Sequence, residues 1–133
     1  MKSGGLGEIS WSLPAALHEA GVDIRILVPA YAPLLAAFPD AKQVAELPPP
    51  GGDLPASRLL ETRTDGGATL LLLDCPIFFR RAGSAYLDAG GNDFVDNHLR
   101  FGLLSKIAAL LSSTASPLHW RPDVLHCNDW PCG

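Results

Sequence analysis

The sequence has few cysteines, a shortage of basic residues and no long apolar run, and each shortage excludes a class of protein. Three cysteines in 133 residues are an odd and sparse set, which argues against a disulfide-stabilised fold and favours a reducing cytoplasm. A net charge of −4 argues against nucleic-acid binding and against a basic membrane-surface patch. The longest clear apolar run, residues 68–73, is far shorter than the ~20 residues of a membrane span.

The composition suits a globular domain. Apolar residues make up 47% of the chain and charged residues 18%, which is enough apolar material for a buried core. The length fits one domain. No apolar stretch follows Lys2, so the start does not resemble a secretory signal. We therefore expect a soluble, acidic, cytoplasmic domain that binds neither nucleic acid nor membrane.

Apolar spacing in the first part of the chain predicts a helix followed by a strand. Residues 9–20 have helical periodicity, Gly21 stands where a C-terminal cap belongs, and Pro14 should bend the helix or move its start forward. Residues 22–28 are β-branched and apolar and predict a buried strand. A glycine-rich segment, a helix and a strand in this order are typical of an α/β fold.

The rest of the chain predicts a strand pair, a long helix and a final strand. Residues 58–64 and 68–73 should pair across a short turn, and the second strand, which is almost entirely apolar, should be covered on both faces. Residues 80–92 predict a surface excursion, 93–113 the longest helix and 124–127 a short strand. Ligands gather beyond the carboxyl ends of strands. The candidate site loops are therefore those that follow Val28, Leu73 and Cys127.

The glycine-rich segment Lys2–Glu8 is the first candidate for chemistry. Its glycines allow a ligand close to the backbone, the helix behind it offers free N–H groups, and Lys2 adds a positive charge suited to a diphosphate. Ser10 occupies the third small position of a dinucleotide fingerprint, and no Gly-Lys-Ser/Thr closes a Walker loop. From the residues alone, an anion site and a plain N-terminal loop are equal alternatives.

The second candidate is the polar cluster His126–Trp130 at the end of an apolar strand, which fits a site better than a core. A metal site built from His126, Cys127, Asp129 and Cys132 is disfavoured, because adjacent strand positions point to opposite faces. A nucleophilic role for Cys127 is disfavoured because no activating partner is evident. We expect neither a metal nor a cofactor.

The start of the long helix has a simpler interpretation. Asp96 and Asn97 suit a helix cap, and His98 and Arg100 are expected to be solvated or paired with neighbours. Surface positions are expected for three side chains of the preceding excursion: Arg80, Arg81 and Tyr86.

Four segments together resemble bacterial glycogen synthases and plant starch synthases. Lys2–Glu8 resembles the pattern K-x-G-G-L-(G/A)-D, and Ser12–Leu17 followed by Gly21–Pro29 resembles A-L-P-x-A-L…G-x-D-x-R-V-L-L-P. Asp96–Leu104 resembles D-N-x-x-R-F-x-x-L, and Trp120–Trp130 resembles W-x-P-D-(V/I)-(V/L)-H-x-(H/N)-D-W. The segments follow the order and spacing of that family along the whole chain.

The resemblance implies a GT-B glycosyltransferase, in which two Rossmann-like domains with parallel sheets and flanking helices face each other across a cleft. Residues 1–133 would be a partial N-terminal, acceptor-side domain without its first strand and without the C-terminal nucleotide-binding domain. The implied activity is retaining transfer of glucose from ADP-glucose, or UDP-glucose in some members, to the non-reducing end of an α-1,4-glucan. No obligatory metal is implied, and the fragment alone is expected to be inactive.

The resemblance also implies which residues act. Lys2 would contact the phosphates or sugar of the donor, and Asp129 matches an aspartate that the family needs for activity. Glu8 stands where the family usually has aspartate, so its carboxylate reaches one methylene further. These three are the implied catalytic residues. The implied substrate-binding residues are Lys2, Gly4, Gly5, Tyr86, Asp129 and Trp130.

Two other classes of function remain as alternatives. One is a non-catalytic glucan-binding or interaction domain derived from such an enzyme, which would bind glucan without transferring sugar. The other, a nicotinamide-binding domain, is disfavoured by Ser10 and by the lack of a strand before the glycine-rich segment.

Overall fold

A four-stranded mixed sheet forms the centre of the fold. The computed structural model describes residues 4–84 and 86–127, and it describes side chains from residue 12 onward. In chain order the elements are α1 (Gly4–Glu19), β1 (Arg25–Pro29), α2 (Ala32–Ala37), β2 (Lys42–Leu47), β3 (Ser57–Arg63), β4 (Thr69–Asp74), α3 (Pro76–Phe79) and α4 (Asn97–Leu111). The strand order in the sheet is β1-β4-β3-β2, in which β1 and β4 pair in parallel and the other two pairs are antiparallel.

The first helix begins earlier than its periodicity predicts. α1 starts at Gly4 rather than Ile9, so most of the segment expected to form a loop is helical. Glycine disfavours a helix through its backbone entropy, by only about 1 kcal/mol per residue, so a helix formed by the residues that follow can extend back to Gly4. α1 also continues through Pro14. Its end agrees with the prediction: Gly21 has a φ of 87°, and the amide of Val22 donates to the carbonyl of Leu17 at 3.0 Å.

The central strand β4 is covered on both faces, as its continuous apolar sequence predicts. Five of its six residues are buried. Leu71 and Leu73 pack in one core cluster with Phe101 and Ile107 of α4. Leu70 and Leu72 pack in a second cluster with Leu34 of α2 and Ala30. Helices thus lie on both faces of the sheet, which confirms the α/β prediction.

The predicted hairpin is also confirmed. β3 and β4 pair from Arg58 with Asp74 to Arg63 with Thr69. The turn between them closes with a 2.9 Å hydrogen bond from the amide of Gly67 to the carbonyl of Thr64. Gly67 has a φ of 87°, a conformation that glycine adopts without steric cost.

The final predicted strand, residues 124–127, is wrong. The described residues contain no strand that pairs with it, and Val124 and Leu125 are 80% and 48% exposed. An apolar run becomes a strand only where a neighbour completes its hydrogen bonds. The preceding segment is nevertheless anchored: Trp120 Nε1 donates to Asp23 Oδ2 at 2.9 Å, and the Trp120 ring lies 4.2 Å from the guanidinium of Arg25.

Within the described ranges, no helix is both long enough and apolar enough to cross a bilayer.

Candidate functional site

Two of the three predicted site loops meet at one edge of the sheet. Because β1 and β4 are parallel, the segments that follow them lie side by side, and the amide of Ala30 donates to the carbonyl of Leu73 at 2.8 Å. Tyr31, after β1, packs edge-on against Phe79 of α3, with ring centroids 5.8 Å apart. The third loop would follow residues 124–127, which form no strand.

At this edge of the sheet, the buried carboxylate of Asp74 pairs with two arginines. Asp74, the last residue of β4, is fully buried, and both its oxygens accept hydrogen bonds from Arg80 Nη2, at 2.8 and 2.9 Å. Arg58 of β3 also donates hydrogen bonds to Asp74 Oδ2, one from Nε at 3.0 Å and one from Nη2. A buried charge must be paired to be tolerated, so this cluster fixes where α3 leaves the sheet. Arg80 is exposed, as the sequence predicts, and it pairs with this buried carboxylate at the same time.

Residues 83, 84 and 86–93, here called the Tyr86 loop, fold back on themselves. Gly83 has a φ of +107°, and a Cβ there would lie 2.2 Å from the carbonyl oxygen of Leu87. The hydroxyl of Ser84 accepts hydrogen bonds from the amides of Tyr86 and Leu87 at 3.3 and 3.0 Å, and Leu87 bridges to Asp93. The loop predicted as a plain surface excursion therefore has a defined backbone.

The start of α4 holds this loop. Asn97 Nδ2 donates to the carbonyl oxygen of Tyr86 at 3.0 Å, and the amide of Phe94 donates to the same oxygen at 3.3 Å. The Tyr86 ring is half-buried and packs at 5.7 Å against Phe101. Asn97 therefore acts on the loop through its side chain, whereas the sequence predicts a helix cap.

Arg100 is buried and paired with neighbours, the second of the two states that the sequence predicts for it. It is 1% exposed, its Nε donates to the carbonyl oxygen of Phe78 at 2.7 Å, and its Nη1 donates to Asn97 Oδ1 at 2.7 Å. Burial lowers the pKa of this guanidinium from its ordinary value. The Phe94 ring lies 4.3 Å from Arg100 Cζ. Arg100 thus links α3 to the residue that holds the Tyr86 loop.

Asp96 makes an ion pair rather than a helix cap. Its two oxygens accept hydrogen bonds from Arg81 Nη1 and Nη2, both at 2.7 Å, and its side chain makes no capping hydrogen bond. Arg81 Nε also donates to the carbonyl of Ile77 at 2.8 Å. The hydrogen bonds from Arg81 lower the pKa of Asp96, even though partial burial opposes this. Arg81, predicted to be a surface residue, therefore ties α3 to the start of α4.

The thiol of Cys75, immediately after β4, is 2% exposed. Burial raises its pKa, which keeps it protonated and unreactive near neutral pH. Within the part of the chain that the structure describes, no three histidine, cysteine, aspartate or glutamate side chains gather closely enough to hold a metal ion.

The remaining predicted site residues divide into two groups. Gly4 and Gly5 form the first turn of α1, where backbone N–H groups have no intrahelical partner, rather than the loop predicted for them. Glu8 lies on the same helix, and its side chain is outside the described part. Lys2, Asp129 and Trp130 lie outside the described residues. The structure therefore brings together only the Tyr86 part of the predicted site.

Sequence reasoning missed the roles of Asp74 and Asn97. A signal was present for each: Asp74 is an acid that directly follows four leucines, and Asn97 and Arg100 are three residues apart, which places them on one face of a helix.

Comparison with known proteins gives a consistent set of relatives. A family model described as the starch synthase catalytic domain matches residues 1–133. The glycogen synthase of Dechloromonas aromatica is 58% identical over 98% of this chain, which corresponds to 27% of that protein. The glycogen synthases of Aromatoleum aromaticum and Nitrosospira multiformis are 52% and 48% identical, over 98% and 99% of this chain and 26% and 27% of their own lengths. The chain thus spans about a quarter of these relatives.

Proposed function

Because this chain belongs to the family of starch synthase catalytic domains, we propose that the protein it contributes to is a retaining glucosyltransferase of glycogen or starch synthesis. The donor is ADP-glucose, with UDP-glucose the alternative, and the acceptor is the non-reducing end of an α-1,4-glucan. The observation that carries the proposal is a family match over residues 1–133, the whole of the chain. The cytoplasm, where nucleotide sugars are made, is the proposed location.

The chain would supply one wall of the cleft between two Rossmann-like domains. Lys2 would meet the diphosphate, and Gly4 and Gly5 would bring the first N–H groups of α1 towards it. Positive charge and N–H groups at this position stabilise the negative charge that develops on the leaving nucleoside diphosphate. Neither a metal nor a cofactor is needed for this role.

Three further residues would act on the sugar side of the reaction. Asp129 would orient sugar hydroxyls or stabilise positive charge that develops at the anomeric carbon, with Trp130 packed beside it. Glu8 would add a second carboxylate from α1. Tyr86 would contact the donor from its loop, where the carbonyl and ring of this residue are already held by Asn97 and Phe101.

The test is a chimaera in which residues 1–133 replace the matching segment of the Dechloromonas aromatica glycogen synthase, here called the synthase chimaera. We expect it to incorporate radiolabelled glucose from ADP-glucose into glycogen, and to use UDP-glucose less well. The control is the host enzyme with the segment deleted. Glycogen binding without incorporation would instead support the non-catalytic glucan-binding alternative, and would overturn the proposed activity.

A further inference from the structure

The side chain of Asn97 joins two groups that have different functions. Its Oδ1 accepts a hydrogen bond from Arg100 Nη1 at 2.7 Å, and its Nδ2 donates to the carbonyl oxygen of Tyr86 at 3.0 Å. Arg100 can only donate, and a carbonyl oxygen can only accept. The amide of Asn97 therefore has one orientation that satisfies both neighbours, and no other side chain of similar size offers a donor and an acceptor in this way.

The partner on the Arg100 side is itself fixed. Arg100 is 1% exposed, is bonded to the carbonyl of Phe78, and has the rings of Phe94 and Phe101 within 4.3 and 5.3 Å of its Cζ. A buried guanidinium with several contacts cannot follow a moving partner. Asn97 is thus held by the core and not by the loop.

The partner on the Tyr86 side belongs to a loop with hydrogen bonds of its own. The hydrogen bonds of Ser84 and the close approach of Gly83 to Leu87 lie within the loop. From outside the loop, the carbonyl oxygen of Tyr86 accepts hydrogen bonds from Asn97 Nδ2 and from the amide of Phe94, and its ring packs against Phe101. Asn97 therefore connects the loop to the core at the residue placed at the donor.

We infer that Asn97 is a positioning residue, which sets the placement of Tyr86 towards the sugar-nucleotide donor through the chain Arg100–Asn97–Tyr86. This inference rests on the proposed function. Asn97 itself touches no substrate in this scheme. Its effect on donor use passes entirely through Tyr86.

The sharpest variant is Asn97→Asp in the synthase chimaera. The two side chains have nearly the same size, and aspartate keeps an acceptor for Arg100 but turns the donor towards Tyr86 into a second acceptor. We expect the donor KM to rise about tenfold, because the hydrogen bond to Tyr86 is replaced by repulsion between a carboxylate oxygen and the carbonyl oxygen of Tyr86. The matched control is Asn92→Asp, the same change at an exposed side chain of the same loop, which should alter the donor KM by less than about twofold.

A double-mutant cycle separates positioning from a general loss of structure. With Tyr86→Ala in place, Asn97→Asp should change the donor KM by less than about twofold, because the residue it acts through is gone. A purely structural role would give the same additional loss in both backgrounds. If circular dichroism shows that the Asn97→Asp chimaera is unfolded, Asn97→Ala enters the same cycle, since it removes the hydrogen bond without adding a charge.

The possible failures are distinguishable. If the unsubstituted chimaera transfers no glucose, the proposed function is wrong. If Tyr86→Ala leaves donor KM and kcat unchanged, Tyr86 does not contact the donor, and the positioning inference is overturned with it. If Tyr86→Ala impairs the enzyme but Asn97→Asp changes the donor KM no more than Asn92→Asp does, the positioning inference alone is overturned. The same conclusion follows if the effects of Asn97→Asp and Tyr86→Ala on the donor KM are simply additive. In both cases the proposed function stands.

Discussion

The ion pair between Arg81 and Asp96 is the residue-scale contact whose strength depends most directly on pH. Both Asp96 oxygens are engaged, and the two side chains are 27% and 24% exposed, so solvent screens the pair only in part. Since Arg81 also donates to the carbonyl of Ile77, loss of the pair removes one of the links between α3 and the start of α4, and the hydrogen bond from Arg100 to Phe78 remains. The Tyr86 loop lies between these two helices in the chain.

The pH dependence follows from the lowered pKa of Asp96. A carboxyl with a lower pKa in the folded state stabilises the fold above its unfolded pKa of about 4, and this stabilisation is lost as the pH falls through the folded pKa. Asp96→Asn should therefore lower the unfolding temperature of the synthase chimaera at pH 7, and its difference from the parent should shrink as the pH falls below about 4. Asp93→Asn, at an exposed position, is the control. Parallel curves for parent and Asp96→Asn would contradict the prediction.

Lys2 and Asp129 should affect different kinetic constants of the chimaera. Lys2→Gln removes the charge that we propose meets the diphosphate in both ground and transition states, so it should raise the donor KM as well as lower kcat. Asp129→Asn is nearly isosteric and should lower kcat by about a hundredfold, with a smaller change in donor KM. If Asp129 only caps a helix, asparagine caps it equally well. A wild-type kcat for the Asp129→Asn variant would contradict a catalytic role for Asp129.

At the scale of elements, the sequence predicts those helix ends and turns that depend on the residues at the position itself. Gly21 follows the end of α1, and Gly67 lies in the turn of the β3–β4 hairpin. Both positions have a positive φ, and glycine at each is the sequence signal for such a backbone conformation. β2 and α2 were not predicted. β2 is an edge strand in which only Leu47 is buried, so its apolar pattern is weak, and α2 has only six residues.

The candidate site was predictable to a smaller extent, because its contacts are not local. The sequence marks Asp96, Asn97 and Arg100 as a motif, but their partners Arg81, Tyr86 and Phe78 come from earlier segments that fold back. Helix capping is the local alternative for an Asp-Asn pair, and here a distant arginine and a distant carbonyl compete successfully for the same side chains. Tertiary structure decides that competition.

The Tyr86 loop offers a matched pair of glycine substitutions. Gly83 and Gly91 both have a positive φ, but a Cβ at Gly83 would lie 2.2 Å from a backbone oxygen, and one at Gly91 would have nothing within 4 Å. Gly91→Ala should therefore cost only the strain of the conformation, about 1 kcal/mol. Gly83→Ala should displace the loop, lower the unfolding temperature further and raise the donor KM of the chimaera. Equal effects of the two substitutions would show that the loop is not held at Gly83.

At the scale of the molecule, the 133-residue chain should have no synthase turnover by itself. It spans 27% of the Dechloromonas aromatica enzyme, and retaining transfer needs donor contacts from a facing domain to preorganise the transition state. Incubation of the purified chain with radiolabelled ADP-glucose and glycogen should give no labelled glycogen. The synthase chimaera is the positive control, and label incorporated by the chain alone would contradict the prediction.

The two edges of the sheet differ in how well they resist pairing with another strand. β2 has a register shift between Gln43 and Ala45, and its exposed residues include Lys42 and Glu46. β1 contains the apolar run Ile26–Val28, half-buried, and pairs only with β4 among the described residues. Charges and bulges protect an edge, whereas apolar residues invite association. The isolated chain should therefore aggregate increasingly with concentration in sedimentation experiments, and a monodisperse monomer with a sharp melt would contradict this.

The strand order also sets a sequence of events in time. Arg63 meets Thr69 across a short turn, whereas α2, β2 and β3 separate Arg25 from Thr69 in the chain. Closing a short loop costs less entropy and occurs sooner than pairing distant segments. We therefore expect the β2–β3–β4 meander to form early and β1 to dock onto it late. The ends of β1 and β4, where the two candidate site loops begin, should then be the last part of the sheet to assemble.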